Sequence, residues 1–200
     1  AYPLAYAISR AKPRSQKICI MLTMLPMWMN FLIRTYSIMA ILEDTGFLNS
    51  LLGRIGLPPL HIINTGGAVI FGMVYNYLPY MVLPIYTVLS KLDNRLLEAS
   101  ADLGCTPMQT FFKVVMPLSR SGVVSGVTMV FVPSVSTFYI SQKLGGGKFQ
   151  LIGDVIERQF QSAYNYNLGA AMSLVLMVLI LLSLAVMNRY SDEGEGGLVA

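Results

Sequence analysis

The chain has 200 residues, of which 54% are hydrophobic and 12% charged, with a net charge of +4. Soluble domains carry about 25% charged residues, and mean hydropathy here is +0.60. These values exclude a soluble globular domain, a disordered chain and a nucleic-acid binder, and leave a membrane protein. Two cysteines (Cys19, Cys105) and one histidine (His61) exclude a disulfide scaffold and a Cys/His zinc site.

The chain opens on Ala1 in an apolar stretch, without the basic head and cleavage site of a signal peptide. The expectation is a fragment whose N-terminus is missing, with residues 1–8 the tail of an incomplete span. A membrane span needs about 20 mostly apolar residues. Residues 18–42 make the first candidate, interrupted by Arg34. An outer link, 43–65, holds a short helix near 48–55 and a turn at Pro58-Pro59. Residues 66–90, without charge, form the second span, and Pro79 and Pro84 allow it to break. The link 91–120 is long and structured. Residues 121–142 form the third span, kinked at Pro133. Another outer link, 143–166, starts near three glycines and continues as a short helix over 151–160. Residues 167–188 form the fourth span, and the acidic stretch 192–195 reads as a solvated end. The predicted fold is an all-α, polytopic bundle of about four full spans plus part of another. It forms one transmembrane domain over residues 1–200.

Cytoplasmic links collect Lys and Arg. Arg10, Lys12, Arg14, Lys17, Lys91, Arg95, Lys113, Arg120 and Arg189 fall on one side. Arg54, Lys143, Lys148 and Arg158 fall on the other. The side with nine is therefore the inside. Both cysteines lie at or near that reducing face, which argues against a disulfide.

The inside link predicts two short helices joined by a tight turn. Asp93 is an N-cap and Gly104 a C-terminal stop. Leu92, Leu96, Ala99 and Leu103 recur between them at helical spacing. Thr106 caps the second helix and Pro107 suits its first position. Met108, Phe111, Phe112 and Val115 form its apolar stripe, and Pro117 ends or kinks it. An amphipathic element resting on lipid is one reading. Docking to a partner is favoured, because the segment is poor in Lys and Arg, and Glu98 and Asp102 would be repelled by headgroups.

The stretch Glu98-Ala99-Ser100-Ala101-Asp102-Leu103-Gly104, nine further residues, and then Val114-Val115-Met116-Pro117 resembles the EAA loop of type I ABC importer permeases. Ser100, Val114 and Met116 depart mildly from that pattern. The resemblance covers nearly the whole chain and implies a permease lacking its first span and most of its second. It also implies that this loop, through Glu98, Ala99, Ala101, Asp102, Gly104, Thr106, Pro107 and Pro117, couples to a cytoplasmic ATPase dimer. A second permease subunit and an extracytoplasmic binding protein complete the implied assembly in the cytoplasmic membrane. ATP and Mg²⁺ would belong to the ATPase, so this chain would bind no cofactor and be no enzyme.

Residues 25–36 (LPMWMNFLIRTY) and the series Phe138-Tyr139-Ile140-Ser141, Gly145-Gly146 and Leu151-Ile152-Gly153-Asp154 resemble the B-type spermidine/putrescine branch. Permeases for ferric iron, thiamine and similar solutes share parts of the first tract and remain alternatives. Outside the transporters, a membrane sensor or scaffold would use the same loop only to dock.

No residue set points to catalysis. Lys148 follows three glycines, but Phe149 comes next and the phosphate-loop spacing is absent. His61 reads as a surface or turn histidine, and no nucleophile–base pair supports a hydrolase. Polar residues within spans mark a path instead. Thr23, Asn30, Arg34 and Ser37 fall on one stripe of a continuous helix. Arg34 faces a pore or gate, or else snorkels to the outer interface. Tyr75, Tyr80 and Tyr139 could meet an organic cation through their ring faces, or pack between helices. Asp154 and Glu157 would draw a cation or meet a binding protein, unless they lie on a solvated face.

Overall fold

A computed structural model describes the backbone of residues 1–196 and the side chains up to Met187. Among the described residues every regular element is helical. In chain order these are α1 (Tyr2–Ser9), α2 (Pro13–Met24), a 3₁₀ turn (Leu25–Trp28), α3 (Phe31–Leu42), α4 (Phe47–Arg54) and α5 (Gly66–Ser90). Next come α6 (Asn94–Asp102), α7 (Pro107–Thr110), a π turn (Phe111–Val115), α8 (Met116–Leu118) and α9 (Arg120–Ser136). The last are α10 (Tyr139–Leu144), α11 (Ile152–Gln161) and α12 (Tyr166–Gly196). The expectations for Arg189 and for the acidic stretch 192–195 lie outside the residues whose side chains are described.

Two helices are long and apolar enough to cross a membrane, Gly66–Ser90 and Tyr166–Met187. Two bent pairs, Pro13–Trp28 with Phe31–Arg54 and Pro107–Leu118 with Arg120–Ser136, bring the number of candidate spans to four.

The expected first span is therefore not one helix. Its chain turns at Met29–Asn30, where the Asn30 side chain accepts the Leu32 N–H at 2.8 Å and starts α3. The stripe of Thr23, Asn30, Arg34 and Ser37 presumed a continuous helix and does not exist. Thr23 instead donates to the Cys19 carbonyl within α2.

The third span also departs from expectation. Proline cannot donate a helix hydrogen bond, and its ring crowds the carbonyl four residues back. Ahead of Pro117 the coil widens into the π turn, where Met116 N–H reaches back to the Phe111 carbonyl. The bend of 60° falls after this turn, between Leu118 and Arg120, rather than at Pro117. Pro133 lies inside α9, and the helix breaks further on, at Thr137–Phe138. Pro79 and Pro84 do not break α5, which is continuous over 25 residues.

The chain divides into two compact units. One comprises residues 1–24, 78–131 and the last helix from Leu181 onward. Its core joins Ala5 and Ile8 to Val82, Ile85, Leu89 and Val115. The aromatic ring of Phe111 meets Tyr2 and Tyr6 edge-on at 5.7 and 5.3 Å. The other unit comprises residues 25–77 and 132–180. Its core joins Ile38 and Leu42 to Ala68, Val69, Ile140 and Leu144. Between membrane helices the gain comes from close packing, because lipid is as apolar as leucine. Small residues permit that approach: a Cβ on Gly72 would overlap Leu144, and one on Gly122 would lie 2.9 Å from the Pro84 carbonyl oxygen.

Gly122→Leu should therefore lower permease stability by about 1–3 kcal/mol, since backbone at Pro84 and Ile85 must move. Gly53→Ala, with nothing within 4 Å of the new Cβ in α4, should be neutral or raise stability by about 0.5–1 kcal/mol. Thermal melting of the purified, detergent-solubilised permease reads both.

Candidate functional site

The link between α5 and α9 folds as its local signals demand. Asp93 accepts the Arg95 N–H at 2.9 Å and opens α6. The helix closes in a Schellman motif: Cys105 N–H bonds the Ser100 carbonyl and Gly104 N–H the Ala101 carbonyl. Such a motif needs a left-handed residue after the cap, and Gly104 supplies it with φ of +78°. Thr106 and Gln109 then form a reciprocal capping box at the start of α7, with Pro107 in its first turn.

Ser100, the departure from the resembled pattern, has a structural task. Its hydroxyl proton goes to the Leu97 carbonyl at 2.8 Å. Thr110 then donates to it at 2.8 Å, tying α6 to α7. Behind the loop, Ser119 gives its proton to the Met116 carbonyl and receives one from the Tyr2 hydroxyl at 2.5 Å. Arg10 donates to Asn94 at 2.8 Å. The loop is thus held rigidly against its own unit.

What it presents outward is a knuckle. Glu98, Ala99, Ala101, Asp102, Gly104, Thr106 and Pro107 are all exposed. Leu103 and Met108 stand beside them at 85% and 67% exposure. Two large apolar side chains, at the turn and in the first turn of α7, thus stand out of the fold near two exposed carboxylates in sequence, Glu98 and Asp102. Pro117 is exposed too, but it belongs to α8, beyond the π turn.

In the other unit the expected path residues part company. Arg34 is 7% exposed, so it does not snorkel. Its Nη1 donates to the Pro26 carbonyl at 2.9 Å, across the break between the 3₁₀ turn and α3. Asn30 is an exposed helix cap. Asp154 is buried at 5% exposure, and its Oδ2 accepts the Leu151 N–H at 2.6 Å. It caps α11 instead of lying on a solvated face. Glu157 accepts from Gln142 Nε2 at 2.7 Å. Tyr75 and Tyr80 are five positions apart on α5, which turns them to different faces.

Tyr139 does gather partners, three of which the sequence reading did not name as path residues. Phe31 and Tyr36 of α3 lie with ring centroids 6.0 and 6.1 Å away. Lys143 Nζ sits 5.4 Å from the centroid of Tyr36 and 5.7 Å from that of Tyr139. The spacing of Tyr139 and Lys143, four residues apart, is a helix-face signal that could have found this pair. Beside them is a cavity of about 440 Å³ lined by Glu43, Asp44, Asn64, Gln142 and Lys143, among others. His61, exposed as expected, pairs with Asp44 at 2.8 Å.

The sequence profile of the family described as binding-protein-dependent transport system inner membrane component matches residues 3–193. The chain belongs to this permease family. Among curated proteins, the spermidine/putrescine transport system permease protein PotB of Haemophilus influenzae is 42% identical over 190 residues. That match covers 94% of this chain and 66% of the relative. PotB of Escherichia coli K12 is 38% identical over 192 residues, covering 95% and 70% of the two chains. The permease thus spans about two thirds of the length of the relatives it matches. A bacterial ABC transporter that imports the acidic polysaccharide alginate shares the fold, with a TM-score of 0.74 at 15% identity. The likeness covers 96% of this chain and 72% of that one. The fold is therefore that of an ABC importer permease, and α6–α7 stand where the resemblance puts the EAA loop.

Replacing Gly104 by Ala in the permease should cost about 1–2 kcal/mol in melting experiments, because Cβ is disfavoured at positive φ. Asn, which tolerates this region, should cost less. A crowding effect would show no such preference, and no atom lies within 4 Å of the Gly104 Cβ position.

Proposed function

We propose that this chain is the permease subunit through which an ABC importer moves spermidine or putrescine across the cytoplasmic membrane. The observation that carries the reading is identity of 38–42% to spermidine/putrescine permeases over 94–95% of the chain. The exposed knuckle around Gly104 supports its mechanical half.

In this reading the chain crosses the membrane several times and binds no cofactor. ATP and Mg²⁺ are handled by a dimer of cytoplasmic ATPase subunits. A second permease completes the path, and an extracytoplasmic binding protein delivers cargo. Leu103 and Met108 enter a groove of the ATPase, while Glu98 and Asp102 meet basic or amide groups at its rim. When nucleotide brings the ATPase subunits together, the docked knuckle moves with them. Because Ser100–Thr110, Tyr2–Ser119 and the edge-on rings around Phe111 hold the knuckle to its unit, the displacement is passed on as rigid-body motion and not absorbed locally.

Labelled-spermidine uptake tests the cargo. The full-length permease is co-expressed with its transporter subunits in cells lacking polyamine import. Uptake should compete with putrescine and fall at least tenfold with Gly104→Asp, while the variant still inserts in the membrane. Uptake and ATPase co-purification both unchanged by Gly104→Asp would refute the coupling role. No uptake by the unmutated transporter, with the ATPase still co-purifying, would refute the polyamine cargo alone.

A further inference from the structure

Lys143 rests on two aromatic rings set nearly at right angles. Tyr36 and Tyr139 meet at 82°, with the ammonium 5.4 and 5.7 Å from their centroids, and the Tyr36 hydroxyl is engaged by both Lys143 and Tyr139. Ring faces arranged around an ammonium are the means by which proteins recognise alkylammonium ligands. Two of the acids nearby are otherwise engaged. Gln142 Nε2 engages Glu157, and His61 Nδ1 lies 2.8 Å from Asp44 Oδ1. Lys143 lies at the two rings although it lines the same cavity as Glu43 and Asp44.

A lysine side chain is a primary ammonium on four methylenes. The end of a putrescine or spermidine molecule has the same chemistry. Lys143 is thus an analogue of the cargo's end, tethered in place. We propose that Tyr36 and Tyr139 form a seat for a primary alkylammonium group, which Lys143 fills in the empty transporter and yields to the cargo. The proposal rests on the polyamine reading above and adds to it the residues and the exchange.

The exchange has a favourable charge balance. One ammonium enters as another leaves, so the seat never holds two like charges. The departing Lys143 has the carboxylate-bearing wall of the cavity to turn to, at Glu43 and Asp44. The cavity, about 440 Å³, has room for the remainder of a slender polyamine chain beside the seat. Tyr36 is 46% exposed, so the rings hold the ammonium only in part desolvated. A partly exposed contact of this kind is worth about a two- to fivefold change in affinity, which is small enough for the cargo to overcome.

Two measurements on the assembled transporter in nanodiscs test this. The first is acylation of Lys143 by an amine-reactive reagent, followed by peptide mass spectrometry. Spermidine, or n-butylammonium as a one-headed probe, should speed acylation of Lys143 and leave Lys148 unchanged. In Tyr36→Leu, acylation should be fast at the outset and insensitive to either amine. The second is equilibrium binding of labelled spermidine without the binding protein. Lys143→Met should tighten it about two- to fivefold and Tyr36→Leu should weaken it by a similar factor, while Tyr36→Phe, which keeps the ring and loses the hydroxyl, should weaken it less than Tyr36→Leu. Basal ATP hydrolysis at the unmutated level certifies that each variant is assembled. Acylation indifferent to both amines, or binding unchanged or weakened by Lys143→Met, overturns the exchange. A response to n-butylammonium but not to spermidine, in a transporter that takes up no spermidine, keeps the seat and rejects the polyamine cargo.

Discussion

A backbone that breaks its helix within a membrane must find hydrogen-bond partners other than water, since hydrocarbon offers none. Among the described residues two candidate spans are interrupted and a third break follows α9, and side chains serve the backbone at each. Arg34 reaches the Pro26 carbonyl beside the first. Ser119, supported by Tyr2, takes the Met116 carbonyl at the second. Near the third, Tyr77 donates to the Pro133 carbonyl at 3.0 Å and Ser141 to the Phe138 carbonyl at 2.8 Å. The paths of α3, α9 and α10 depend on these bonds.

That constraint explains which parts of the structure were legible in the sequence. The loop from Asp93 to Gln109 was readable almost residue by residue, because caps, proline at a first turn and a left-handed glycine are local signals. The second span and the short helices α4 and α11 were readable to within a residue or two for the same reason, from apolar runs and their punctuation. The breaks were not. Whether Pro79, Pro84 and Pro133 interrupt a helix depends on which distant groups receive the freed carbonyls. Arg34 shows the difficulty well. A charge in an apolar run looks like a pore residue or a snorkelling one, and the partner that decides its role, Pro26, lies in the preceding turn.

The unit of residues 25–77 and 132–180 shows the same limit for the expected path residues. Asp154 read as a lure for cations, a binding-protein contact or part of a solvated face, but its short side chain closes the first turn of α11. The aromatic pair that does hold a cation comes from α3 and α10, more than 100 positions apart in the chain. Only half of that arrangement, Tyr139 and Lys143 on one helix face, is visible without the fold. The aromatic arrangement around Lys143 is thus a tertiary property, whereas the exposed turn around Gly104 is largely a local one.

The two glycines at Gly104 and Gly122 differ in what evolution can do after losing them. Gly122 is crowded by the Val88 side chain as well as by backbone at Pro84 and Ile85. A bulky residue there can be relieved in part by trimming Val88. Gly104 has nothing around it to trim, because its constraint is an angle. Second-site suppressors of a Gly104 substitution therefore cannot arise by carving space in this chain. They must change the course of the loop itself or, if the loop docks as proposed, lie in the partner that receives it.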